Sequence, residues 1–87
     1  MKKVELDIAN IHTVRALHVY LAYKLNLPTY YGGNLDALYD ALSDVAEPTD
    51  LVLRGAPASD EMAAYLPRLT RVLEDAAAEN RNVELTR

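Results

Sequence analysis

The chain has no cysteine, no tryptophan and no phenylalanine in its 87 residues. Without cysteine, neither a disulfide framework nor a thiolate metal site can hold the fold together. That composition suits a reducing compartment, and a cytoplasmic location is the expectation. Long apolar runs are missing too. The opening Met1-Lys2-Lys3-Val4-Glu5-Leu6-Asp7 alternates charge with apolar character and lacks the core of a signal peptide. No run approaches the roughly 20 residues of a membrane span. Positive charge is scarce: 9 Lys and Arg stand against 13 Asp and Glu, a net charge of −4. Phosphate binding needs clustered Lys and Arg, so direct contact with nucleic acid is disfavoured.

What is present has a definite distribution. Hydrophobic residues make up 51% of the chain and charged residues 25%, the balance of a globular protein rather than a disordered one. The length is that of one domain, expected over residues 1–87. Burying roughly 60–65% of the unfolded surface suffices at this size. Between Lys24 and Arg54 there is no basic residue, whereas Asp36, Asp40, Asp44, Glu47 and Asp50 all fall there. All six aromatics are tyrosines, and Tyr30, Tyr31 and Tyr39 lie inside or beside that acidic stretch. An acidic surface interleaved with tyrosine suits a basic protein partner.

Apolar periodicity divides the chain. Val4, Leu6 and Ile8 alternate with charged residues, the period of a half-buried strand. Thr13 is positioned to cap a helix with Val14, Leu17, Leu21 and Leu25 on one face, closed by Pro28. Tyr30-Tyr31-Gly32-Gly33 reads as a loop. Asn34 caps a second helix striped by Leu35, Leu38, Tyr39 and Leu42. Leu51-Val52-Leu53 suits a strand buried on both sides. Ser59 opens a short third helix over 60–65, and Pro67 suits the first turn of a fourth carrying Leu69, Val72, Leu73 and Ala76. Asn80-Arg81-Asn82 is a stop, and Val83 and Leu85 mark a last strand. Strands joined by helical crossovers pair in parallel. The pattern predicts a two-layer α/β fold, a three-stranded parallel sheet covered by about four helices.

The chemistry-bearing residues are carboxylates. Asp36 and Asp40 stand four apart on the second helix, and Asp75 and Glu79 repeat that spacing near the end of the fourth. Such acids can hold a divalent metal, serve as acid and base, or present negative charge. Taken singly each has a local explanation: Asp36 favours the helix dipole, and Asp75 follows Arg71 by four residues. Asp40 has none, because it lies past the first turn and has no Lys or Arg three or four residues away. Asp36, Asp40 and Asp44 stack like charges at successive turns, a cost that an external cation would relieve. His18 borders the apolar face of the first helix, where a half-buried packing role is expected. No nucleophile triad, phosphate loop or dinucleotide fingerprint is present.

The block Leu27-Pro28-Thr29-Tyr30-Tyr31-Gly32-Gly33-Asn34-Leu35-Asp36-Ala37-Leu38-Tyr39-Asp40-Ala41-Leu42 resembles the signature of the barstar family. Those proteins are intracellular inhibitors of barnase-type ribonucleases. The resemblance implies a parallel three-stranded sheet with helices, no catalytic residues and no cofactor. It also implies a partner surface. Tyr30 matches the loop tyrosine against the enzyme's active site, and Gly32, Asn34 and Leu35 line the interface. Asp36 faces the basic rim, and Asp40 matches the aspartate that enters the phosphate pocket. Asp75 and Glu79 extend the surface from the last helix. Tyr39 stands in place of a tryptophan, Asp75 in place of a glutamate, and Asp44-Val45 where barstar has glycine and tryptophan. Both family cysteines are absent.

Three functions are weighed from these observations. The first is an inhibitor, monomeric when free, that neutralises a basic barnase-like ribonuclease with Tyr30, Gly32, Asn34, Leu35, Asp36, Tyr39, Asp40, Asp44, Asp75 and Glu79. The second is a barstar-like scaffold binding another basic protein. The third is a metal-dependent hydrolase using Asp36, Asp40, Asp75 and Glu79, for which no separate general base is evident.

Overall fold

The computed structural model describes residues 1–87. In chain order the elements are β1 (Lys2–Asp7), α1 (Val14–Lys24), α2 (Leu35–Ser43), β2 (Thr49–Arg54), α3 (Asp60–Glu79) and β3 (Val83–Thr86). The three strands form one parallel sheet in the order β1-β2-β3. Val4 lies opposite Leu51 and Leu51 opposite Leu85, so one apolar row crosses the sheet beneath the helices. The core draws on every element, with Leu6, Leu17, Leu38, Leu51, Leu69 and Leu73 fully enclosed. Each enclosed leucine contributes about 1.5–3 kcal/mol from apolar burial.

The opposite face of the sheet is open. Lys3, Glu5 and Asp7 of β1 and Glu84 of β3 are exposed there, and Val52 of β2 is only half-buried. Glu5 meets Arg54 at 3.3 Å, and the Thr86 hydroxyl donates to Asp50 at 2.9 Å. The expectation that Leu51-Val52-Leu53 is buried on both sides is therefore corrected. Only Thr49 and Leu51 are buried in β2, because the helices cover one face and charged side chains occupy the other. The fold has two layers.

The helix starts follow local chemistry. Thr13 Oγ1 accepts from the Ala16 N–H at 3.0 Å, Asn34 Oδ1 from Ala37 at 2.8 Å and Ser59 Oγ from Met62 at 3.1 Å. Two long-range bonds join the starts of α1 and α3: the Val14 N–H donates to Glu61 Oε2 at 2.6 Å, and the Ser59 hydroxyl donates to the His12 carbonyl at 2.6 Å. The end of α1 corrects the expected stop at Pro28. The helix ends at Lys24, and Asn26 turns left-handed with φ 53°. The Leu27 N–H then reaches back to the Ala22 carbonyl at 2.9 Å, closing a Schellman turn. Asparagine tolerates that geometry better than most residues.

A second correction concerns helix number. The expected third and fourth helices are one 20-residue helix, with Pro67 in its interior. Proline cannot donate to the carbonyl four residues earlier, here Ala63. Both Pro67 and Ala63 are exposed, so water can serve that carbonyl. Met62, Leu69, Leu73 and Ala76 meanwhile form one continuous buried stripe across the proline. Burial of that stripe outweighs the local penalty, and the fold has three helices rather than about four.

Candidate functional site

The site is built on α2 and the loop before it. Leu38 and Leu42 anchor α2 in the core, with Leu35 and Tyr39 half-buried beside them. That orientation turns Asp36, Asp40 and Ser43 outward, and Asp44, the C-cap, is exposed as well. Gly33 has φ 67°, a left-handed turn that glycine adopts without strain and that delivers Asn34 to its capping position. The Asn34 amide also donates to the Gly32 carbonyl at 3.4 Å.

The two loop tyrosines diverge. Tyr30 is 87% exposed, whereas Tyr31 is half-buried against the core. The Tyr31 hydroxyl lies 2.6 Å from His18 Nδ1, and Tyr65 Oη lies 2.9 Å from His18 Nε2. Loop, α1 and α3 thus meet at one imidazole, which is only 3% exposed. A neutral imidazole can donate from one nitrogen and accept at the other, so both contacts are satisfied. Burial pushes the His18 pKa below 6.5 and raises the Tyr31 hydroxyl to about 12, with Tyr65 adding to the rise. Burial likewise raises Tyr65, partly offset by Arg68, whose guanidinium lies 5.3 Å over its ring. The expectation that His18 is a half-buried packing residue is corrected on this point. It is buried, and its role is polar.

Loop and α2 enclose a groove of about 490 Å³. Tyr30, Tyr31, Gly32, Ala37, Asp40, Ala41, Asp44 and Val45 line it with the end of the α1–loop turn. A second groove of about 620 Å³, toward α1, shares Leu27, Pro28, Tyr31 and Gly32 with the first. The loop is therefore a ridge between two depressions, and Tyr30 projects from it.

The charges of the site are uncompensated within the chain. The ion pairs in the structure are Glu5–Arg54 and Glu74–Arg87, both away from α2. Arg71 does not pair with Asp75, although the four-residue spacing would allow it. Asp44 sits at the C-terminal end of α2, and no basic residue occupies the last turn. An anion there opposes the helix dipole at a cost of about 0.3–1 kcal/mol.

Asp75 and Glu79 are exposed on α3, which packs against α2. Their helix is tied to α2 by Asn80, whose Nδ2 donates to the Leu42 and Val45 carbonyls, both at 2.9 Å. Asn82 adds a bond to the Val45 carbonyl at 3.3 Å. Ser43 and Glu79 consequently border the same shallow depression. No three Asp, Glu or His side chains converge closely enough to hold a metal ion. Sequence reasoning missed Asn80, Glu61 and the pairing of His18 with Tyr31 and Tyr65. Each is a polar residue whose partner lies at least 13 positions away, which no local spacing announces.

Comparison with known proteins agrees with this architecture. The family model described as Barstar (barnase inhibitor) matches residues 1–86. A Bacillus subtilis (strain 168) protein named "Putative ribonuclease inhibitor YrdF" is 35% identical over 81 residues, which is 91% of this chain and 89% of that protein. The chain belongs to the barstar family.

Proposed function

We propose that the protein inhibits a barnase-type ribonuclease by occluding its active site. The observation that carries this reading is the row of exposed, unpaired carboxylates on α2 beside the projecting Tyr30. A ribonuclease must hold a polyanion, so its active site is cationic. Asp40 stands in for an RNA phosphate there, with Asp36 toward the rim and Tyr30 packing from the loop. Gly32, Asn34, Leu35 and Tyr39 complete the central contact, and Asp44, Asp75 and Glu79 extend it at the edge. Membership of the barstar family and the name of the Bacillus subtilis relative support the same reading. In this role the protein is a monomeric, non-catalytic antidote in the cytoplasm, protecting cellular RNA from a toxic enzyme.

Titration of the purified protein into barnase, with RNA cleavage as the readout, tests the proposal. Activity is expected to fall linearly and to vanish near one inhibitor per enzyme. Undiminished cleavage at molar excess would remove a barnase-type enzyme as the target.

A further inference from the structure

The loop before α2 has a single polar hold on the rest of the fold. From Pro28 to Asn34 every residue is exposed except Tyr31, which is half-buried. Most hydrogen bonds of this segment stay within it: the Tyr31 N–H donates to the Pro28 carbonyl at 2.9 Å, and the Asn34 amide donates to the Gly32 carbonyl at 3.4 Å. Asn34 otherwise serves the first turn of α2. Only the Tyr31 hydroxyl reaches another element, 2.6 Å from His18 Nδ1 of α1. The opposite ring nitrogen, Nε2, lies 2.9 Å from the Tyr65 hydroxyl of α3, with the two rings edge-on at 81°. We infer that His18 and Tyr65 are positioning residues for Tyr30. Tyr65 fixes the imidazole, the imidazole fixes Tyr31, and Tyr31 sets the direction in which the adjacent Tyr30 projects.

The geometry requires all three members. An imidazole bonded at one nitrogen can still rock about the bond to its ring, whereas one bonded at both nitrogens has a single orientation. In the neutral ring one nitrogen donates and the other accepts, so both hydroxyls are held at once. His18 is only 3% exposed, which leaves little water to replace either hydroxyl. Arg68, 5.3 Å over the Tyr65 ring, covers that ring from the solvent side. The loop has little stiffness of its own, because Gly32 and Gly33 follow Tyr31 directly. Tyr30 is 87% exposed, so its direction follows from the backbone that Tyr31 anchors. An exposed aromatic held in one direction before contact loses less freedom on binding. The inference rests on the ribonuclease-inhibitor reading only for the identity of what Tyr30 touches.

Hydrogen–deuterium exchange on the free protein, read by NMR, tests the positioning role. The amides of Tyr31 and Ala37, bonded to the Pro28 carbonyl and to Asn34 Oδ1, report opening of the loop, and those of Leu69 and Leu73 report opening of the core. Tyr31→Phe keeps the ring and removes the hydroxyl, and the loop amides should exchange about fivefold faster, the scale of one net hydrogen bond. Tyr65→Phe leaves every loop side chain in place, yet should speed the same amides at least about twofold. In the double variant the second change should add nothing at the loop, because an untied loop no longer senses the imidazole. Loop amides unmoved by Tyr65→Phe, with Leu69 and Leu73 exchanging faster, would reduce Tyr65 to a packing residue of α3 and overturn the proposal. Loop factors that multiply in the double variant would overturn it as well. The barnase titration is read separately. The expected exchange pattern without inhibition removes the ribonuclease and leaves the positioning role, whereas inhibition with unmoved loop amides removes the positioning role alone.

Discussion

The side-chain amide of Asn80, at the end of α3, donates to the main-chain carbonyl of Leu42, near the end of α2, at 2.9 Å. The same nitrogen donates to the Val45 carbonyl at 2.9 Å. The last carbonyls of a helix have no partner within it, and α2 has no basic side chain in its final turn to serve them. Asn80 adds a donor from a different helix to the one the Val45 N–H supplies, and it joins the end of α3, with Glu79, to the end of α2 at Ser43.

Replacing Asn80 with alanine removes the shorter of two bonds at each carbonyl while keeping the backbone of α3: Leu42 retains the Val45 N–H at 3.3 Å and Val45 the Asn82 amide at 3.3 Å. Asn80→Ala should lower the free energy of unfolding by about 1–2 kcal/mol, the net worth of the hydrogen bonds lost. Urea denaturation checks this, and an unchanged midpoint would show that water replaces the amide freely.

His18 makes stability depend on pH. Its pKa is lowered by burial in the folded state, whereas the unfolded chain titrates near 6.5. Protons therefore bind the unfolded state first. The stabilisation is fully present above pH 6.5 and is lost as the pH falls through the depressed folded value. Denaturation midpoints between pH 8 and pH 4 should show a decline beginning near 6.5 that is absent in His18→Gln. Tyr31 acts in the opposite direction. With its hydroxyl raised from 10 to about 12, its contribution is present below pH 10 and is lost as the pH rises toward 12.

The α2 carboxylates should differ in weight against a ribonuclease. On the proposed function, Asp40→Ala should strand cationic groups of the enzyme in a closed interface, a loss of about 2–5 kcal/mol. Asp44→Ala removes a charge at the edge and should cost at most about 1 kcal/mol. Inhibition constants of the two variants against barnase decide the matter, and equal losses would remove Asp40 as the anchor.

Ionic strength should act on the encounter rather than on the bound state. On the proposed function, the acids of α2 and α3 would attract a cationic active site over a distance that salt shortens, to about 8 Å at physiological strength. Stopped-flow association rates are expected to fall steeply with added salt while dissociation rates change little.

Pro67 offers a test confined to the fold. Pro67→Ala restores the hydrogen bond to the Ala63 carbonyl on the exposed side of α3 and removes the ring's clash there. Unfolding free energy should rise by about 1–3 kcal/mol, less what is lost because alanine frees the unfolded chain. A lower thermal midpoint would mean that the core requires the helix geometry that Pro67 imposes.

The sequence by itself determined the strand of Val4 and Leu6, the three helix caps Thr13, Asn34 and Ser59, and the stripe of Leu38 and Leu42. These depend on neighbours within a few residues, so periodicity and capping chemistry carry them. It also concentrated unpaired acids around Asp36, Asp40 and Asp44, a matter of composition that folding cannot undo. Tertiary structure decided the rest. Pro67 became a helix interior because the stripe from Met62 to Ala76 buries as one unit, and Asn26 rather than Pro28 ended α1. The outer face of β2 stayed open because the helices pack on one side of the sheet. His18 changed from a packing residue into the link between Tyr31 and Tyr65, and Asn80 from a stop signal into the clamp on α2. These outcomes share one physical origin. Burial and polar satisfaction between distant residues are settled only when the chain closes on itself, and local preference yields wherever the core gains more.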